Sequence, residues 1–116
     1  MNDHQTAIAE LKDIVKEFVD ARQWNAFHSP KNLSMSLAIE AAELMEHFQW
    51  VGTEASREIC QDDNKQSAIA EELADVFCYG LALANVLDID VSTTIREKMI
   101  KNQQKYPADQ FQGRFE

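Results

Sequence analysis

Between Ser67 and Leu87 the chain reads S-A-I-A-E-E-L-A-D-V-F-C-Y-G-L-A-L-A-N-V-L, a helix apolar around most of its circumference. Glu72 and Asp75 nevertheless fall well inside it, three residues apart and therefore neighbours on one face. A second acid-x-x-acid pair, Glu40 and Glu43, lies in another apolar stretch, S-M-S-L-A-I-E-A-A-E-L-M-E-H-F-Q-W. An ionised carboxylate buried without a partner is strongly unfavourable, and neither stretch contains Lys or Arg. A bound divalent cation is the compensation that this pattern predicts.

The rest of the composition narrows the fold. A chain of 116 residues holds one domain, and 45% hydrophobic residues make it too apolar to be disordered. Three Gly and two Pro leave little turn chemistry, while Ala, Leu, Glu, Lys and Gln favour helix, so the expected class is all-α. A net charge of −9 argues against nucleic acid or an anionic membrane as partner, because no basic stripe is present to neutralise phosphates. One small polyphosphate remains compatible, provided that a metal carries positive charge to it.

Cys60 and Cys78 have neither metal-type nor redox spacing. Asp3 and Glu10 interrupt any signal-peptide pattern at the start, and the acids inside the long helix argue against a membrane span. These features lead us to expect a cytoplasmic protein with reduced thiols.

Along the chain, Ile8, Leu11, Ile14, Val15, Phe18 and Val19 recur at helical steps, predicting an amphipathic helix from about Asp3 to Arg22. Gln23 to Lys31, Q-W-N-A-F-H-S-P-K, breaks the period and reads as a loop dense in aromatics. A second helix is predicted from about Asn32 to Phe48 or Trp50. On it Glu43 lies about 60° and His47 about 20° round from Glu40, forming one polar stripe. Thr53 to Lys65 is a polar connection with a short helical turn around Ala55 to Cys60.

Asp62, Asp63 and Asn64 are candidate caps for the third helix, where Glu72, Asp75 and Tyr79 share a stripe. Gly80 within it is expected to mark a close crossing of another helix. A fourth helix from about Ser92 to Lys105 carries Arg96, Lys98, Lys101 and Lys105, and the tail from Pro107 to Glu116 is expected to be loose. Three short companions leave the third helix undercovered, so oligomerisation is expected to complete the bundle.

Magnesium prefers oxygen ligands and bridges carboxylates to substrate phosphates, so two facing acid pairs suit it, with manganese as a substitute. A ferritin-type di-iron site needs Glu-x-x-His pairs; Leu44 stands three residues before His47, which disfavours iron.

The motifs W-N-A-F-H-S-P-K-N-L, E-A-A-E-L-M-E-H-F-Q-W, E-E-L-A-D-V-F-C-Y and K-M-I-K-N-Q-Q-K-Y-P occur in this order. Together they resemble the MazG-like all-α nucleoside triphosphate pyrophosphohydrolases, in particular their small dCTP pyrophosphatase branch. The resemblance implies a four-helix fold covering residues 1–116 and hydrolysis of a nucleoside triphosphate to monophosphate and pyrophosphate. It also implies a magnesium-dependent homotetramer with active sites between subunits. By motif, Glu40, Glu43, Glu72 and Asp75 become metal ligands, with Glu43 and Glu72 closest to the chemistry. Tyr79, Lys98, Asn102 and Tyr106 match positions at the phosphate or sugar, with Lys105 adding charge there. Trp24 and Trp50 match aromatics that enclose the base, with Phe27 and His28 close by. Val15 departs from the pattern, since some relatives carry histidine there, near the base.

The leading expectation is thus an enzyme acting on dCTP or modified deoxynucleotides. A dUTP or broad-range triphosphate substrate on the same fold, or a non-catalytic helical dimerisation module, are the alternatives.

Overall fold

The computed structural model describes residues 1–114 and contains helices only among them, as the all-α expectation requires. The elements in order are α1 (Ile8–Ala21), a 3-10 turn (Trp24–Ala26), α2 (Pro30–Glu46) and α3 (Thr53–Arg57). A second 3-10 turn (Ile59–Gln61), α4 (Asp63–Leu87), α5 (Val91–Lys105) and α6 (Ala108–Phe111) follow.

Helix ends are set by identifiable side chains. Gln23 takes a left-handed conformation (φ 54°) after α1 and turns the chain into the aromatic loop. Ser29 caps α2, its Oγ accepting from the Asn32 amide at 3.2 Å, while the Asn32 side chain donates to the Phe27 carbonyl at 3.0 Å. Pro30 is the first residue of α2, two residues earlier than the sequence pattern predicts. Proline costs nothing at that position, where its missing N–H would have had no helical partner. Asp62 caps α4 by accepting from Asn64 and Lys65, and Asp90 caps α5 by accepting from Thr93 at 2.9 Å.

Helix α4 is the axis. α2 packs along it most extensively and α1 covers another flank. Asn85 Nδ2 donates to the Lys12 carbonyl at 3.0 Å and Lys12 Nζ to the Ile89 carbonyl at 2.8 Å, tying α1 to the far end of α4. Asp88, left-handed at φ 53°, ends α4, and the Ile89 amide donates back to the Ala84 carbonyl at 2.9 Å. Through this turn α5 leaves α4 at 102°, and among the described residues it packs substantially against no other helix.

The resulting shape is open. Val19, Leu33, Ala82 and Ala84 are the buried hydrophobic residues, whereas Phe77 of α4 is 64% exposed. The radius of gyration is 17.1 Å, against about 13 Å for a compact chain of this length. Among the described residues no single helix is long and apolar enough to cross a membrane.

Three local expectations need correction. The first helix begins at Ile8 rather than Asp3, because Asn2 folds the preceding residues into a turn, its Oδ1 accepting from the His4 and Gln5 amides. The segment expected to be a loose tail forms another helical turn, α6, with Phe111 edge-on to Tyr106 at 5.2 Å; Phe115 and Glu116 lie outside the described residues. Among the described residues Gly80 marks no close crossing, since nothing beyond its own stretch of helix lies within 4 Å of where its Cβ would be.

Candidate active site

The register of α2 and α4 brings the two acid pairs together. One carboxylate oxygen from each of Glu40, Glu43 and Glu72 lies within 4.8 Å of the other two. Glu40 Oε2 and Glu72 Oε2 are both sealed from solvent with no hydrogen-bond partner. Burial, then the carboxyls of Glu43, Asp75 and Glu72, push the Glu40 carboxyl above the ordinary range. Burial raises Glu72 as well, aided by Glu43 and Asp75, while His47 pulls in the opposite direction. Asp75 therefore acts on both half-buried acids, although it does not belong to the tight triad.

Buried acceptors without donors are costly unless something positive reaches them. Here the unspent groups are all carboxylate oxygens, the donor set suited to a hard divalent cation. The residues present thus fit the metal that the sequence pattern calls for.

Next to the acids is a cleft of about 420 Å³ between α1, the aromatic loop and α4. Asp75 and Tyr79 are its polar residues on α4, and Trp24 and His28 line it from the loop. The ring of Trp24 stands edge-on to Phe18, with centroids 5.6 Å apart, and is tilted to His28 at 6.2 Å. Arg22 lies over the other ring of that pair, 3.6 Å from the Phe18 centroid. The walls are otherwise apolar, supplied by residues such as Val15, Cys78 and Ala82. Burial, then Asp75, raises the Cys78 thiol above its usual range.

Other residues of the expected site lie apart. Trp50 is 89% exposed and Phe27 is 67% exposed, and neither lines the cleft. Lys98, Asn102 and Lys105 ride on α5, and Tyr106 follows it, with the Lys105 ammonium 5.3 Å from the Tyr106 ring centroid. No α5 cation is among the charges acting on Glu40 or Glu72. Conversely, Phe18 and Cys78 line the cleft although their sequence pattern reads as helix core. Only the apolar stripe of α1 signalled Phe18, and a stripe does not distinguish a packed face from a cleft wall.

A sequence model described as the MazG-like family matches residues 35–114. dCTP pyrophosphatase 1 of Rattus norvegicus is 32% identical over 109 residues, covering 94% of this chain and 64% of that protein. The Homo sapiens protein of the same name is 33% identical over 104 residues, 90% of this chain and 61% of its own length. The chain thus spans somewhat less than two thirds of these curated relatives. A crystal structure of a pyrophosphatase from Archaeoglobus fulgidus superposes with a TM-score of 0.79 at 39% identity, covering 92% of this chain and 98% of that one. With a family match over most of its length and the paired acids facing each other across α2 and α4, the chain belongs to the MazG-like family.

Proposed function

We propose that the protein is a nucleoside triphosphate pyrophosphohydrolase, hydrolysing dCTP or a modified deoxynucleoside triphosphate to the monophosphate and pyrophosphate. The observation that carries this reading is the adjacency of two features: a carboxylate cluster in which two oxygens are sealed from solvent with no hydrogen-bond partner, and an aromatic cleft lined by Asp75, whose charge acts on that cluster. Relatives named for dCTP and pyrophosphatase chemistry support the same reaction.

Glu40, Glu43, Glu72 and Asp75 would hold magnesium, or manganese in its place. When bound, the cation supplies positive charge at the triphosphate and acidity to the attacking water. Glu43 or Glu72 takes up the proton that the water releases. Trp24 and His28 hold the base in the cleft, where aromatic stacking contributes about 1–3 kcal/mol. Tyr79, on the cleft's polar side, orients the sugar or the first phosphate.

The remaining residues of the site come from a second copy of the chain in this reading. Trp50, Lys98, Asn102, Lys105 and Tyr106 are not gathered at the acids of their own chain, and exposed Phe77, Leu73 and Met35 offer apolar surface for assembly. A homotetramer built as a dimer of dimers would cover that surface and bring the α5 cations to a neighbour's phosphates. In this reading the protein acts in the cytoplasm, as its sequence leads us to expect.

Separate incubation with each deoxynucleoside triphosphate and Mg²⁺, with an EDTA control, tests the reaction. Metal-dependent release of monophosphate and pyrophosphate is expected, with dCTP among the substrates. Release of diphosphate and phosphate, or no turnover across the panel, would overturn the proposal.

A further inference from the structure

The last turn of α1 holds the aromatic loop at two neighbouring points. Phe18 meets the ring of Trp24 edge-on at 5.6 Å, and Asp20, two residues on, accepts from the next loop residue, Asn25. The Asp20 carboxylate serves two donors, one on each oxygen. Asn25 Nδ2 donates to Oδ1 at 3.0 Å, while the Lys16 ammonium, one helical turn back, pairs with Oδ2.

Neither Asp20 nor Asn25 lines the cleft. Asn25 instead lines a smaller hollow of about 210 Å³ beside it, together with Lys16 and Asn85. Lys16 and Asp20 are both exposed, and an exposed ion pair of this kind contributes little to folding. Its consequence lies in where it holds the loop.

Trp24 is flanked by two residues that are both tied to Asp20. The amide of Gln23, left-handed at φ 54°, donates to the Asp20 carbonyl at 3.0 Å, and the Asn25 side chain donates to the Asp20 carboxylate. Farther along, the Asn32 side chain fixes the Phe27 carbonyl. Among the described residues no hydrogen bond reaches the Trp24 indole nitrogen. The place of that ring therefore follows from its flanking backbone and from its contacts with Phe18 and His28.

We propose that Asp20 is a positioning residue for the substrate, holding Trp24 at the cleft wall through Asn25. The proposal rests on the assignment of the cleft to the base and deepens it by naming the residue that keeps the cleft formed. Without the bond to Asn25 the loop samples arrangements in which Trp24 leaves the wall. Apparent affinity then falls in proportion to the fraction of molecules that keep Trp24 in place. Turnover of bound substrate at the acids of α2 and α4 is unaffected, so the loss appears in KM and not in kcat.

The test measures kcat and KM for dCTP with the wild type and the Asp20→Ala, Asn25→Ala, Asp20→Asn and Lys16→Met variants. Asp20→Ala and Asn25→Ala should each raise KM about fivefold, on the scale of one lost hydrogen bond, with kcat unchanged. Combining them should be no worse than either alone, because both remove the same bond. Asp20→Asn retains an amide that can pair with the Asn25 amide, and Lys16→Met removes only the ion pair, so both should stay close to wild type. An unchanged KM in Asp20→Ala, or an Asp20→Asn variant as impaired as Asp20→Ala, would overturn the proposal. If Asp20→Ala does not fold, Asn25→Ala takes its place in the comparison. Tryptophan fluorescence gives Kd for deoxycytidine without phosphates, metal or turnover. If no triphosphate is hydrolysed, the enzymatic reading fails by itself, and this Kd decides the positioning role. Weaker binding in Asp20→Ala that Asp20→Asn restores upholds it; equal Kd values, or no binding to the wild type, overturn it.

Discussion

Glu40 on α2 and Glu72 on α4 each turn an Oε2 into a solvent-free space where no donor meets it, so the two long helices face each other across unspent negative charge. Burial, reinforced by neighbouring acids, raises both carboxyls above the ordinary range. A carboxyl with a higher pKa folded than unfolded gives stability that is full below the unfolded value and is lost as pH rises through the folded value. The metal-free protein should therefore lose stability as pH climbs from the ordinary glutamate value of about 4.3 towards neutrality. Asp20 and Asp90 have lowered pKa values, held by Lys16 and by Thr93 respectively, and contribute stability lost only as pH falls below the usual aspartate range. Comparing Tm against pH for the wild type and a Glu40→Gln/Glu72→Gln double variant in EDTA isolates the acid pair. A wild-type slope no steeper than that of the double variant would refute it.

Divalent cation binding should reverse this loss. Magnesium at about 100 times its Kd adds about 2.7 kcal/mol. The rise in Tm should be larger near neutrality than near pH 5, where protons compete for the same oxygens. In Glu43→Gln or Asp75→Asn the magnesium-dependent rise should shrink and turnover fall by at least about 100-fold, on the scale of losing one transition-state stabilising group. Circular dichroism should show helicity retained. Full activity in both variants would remove these residues from the site.

Leu33 of α2 is 1% exposed, the most deeply buried large side chain of the fold. Leu33→Ala should cost about 2–5 kcal/mol in urea unfolding, with turnover per folded molecule little changed. A loss below about 1 kcal/mol would mean that α2 closes over the gap.

The apolar face carrying Phe77 should be the part of α4 most sensitive to charge. Phe77→Asp is expected to shift sedimentation from the assembled species towards smaller ones and to lower turnover in parallel. Unchanged sedimentation would show that this face is not an interface.

Asp88 holds the left-handed turn that aims α5. Asp88→Gly should be neutral or stabilising, and Asp88→Val should be less stable than Asp88→Gly by about 1–2 kcal/mol, the cost of left-handed backbone for a side chain with a Cβ. Equal Tm for the two variants would refute this reading of the turn.

Elements and acid pairs are legible in the sequence because both depend on local periodicity. Three-residue spacing puts Glu40 beside Glu43 and Glu72 beside Asp75 wherever the helices lie. Asp62 is likewise readable as a cap, because capping is a local bond. The direction of α5 is not legible, since it depends on the backbone conformation of Asp88. Gly80 misled for a related reason: a small residue signals room for a neighbour without saying from which chain it comes. Asn25 and Asn85, sixty residues apart, meet at one hollow only through the packing of α1 on α4, and no sequence window contains both.

Because α5 departs at 102°, its lysines stand away from the acids of their own chain. For an enzyme assembled as proposed, specific activity becomes a property of the solution as well as of the molecule. Dilution below the assembly's dissociation constant would silence each site by removing the neighbour's contribution, with every helix still folded. Mixing inactive chains altered at Glu43 with inactive chains altered at Lys98 would then restore part of the activity, because some mixed sites would receive both intact halves.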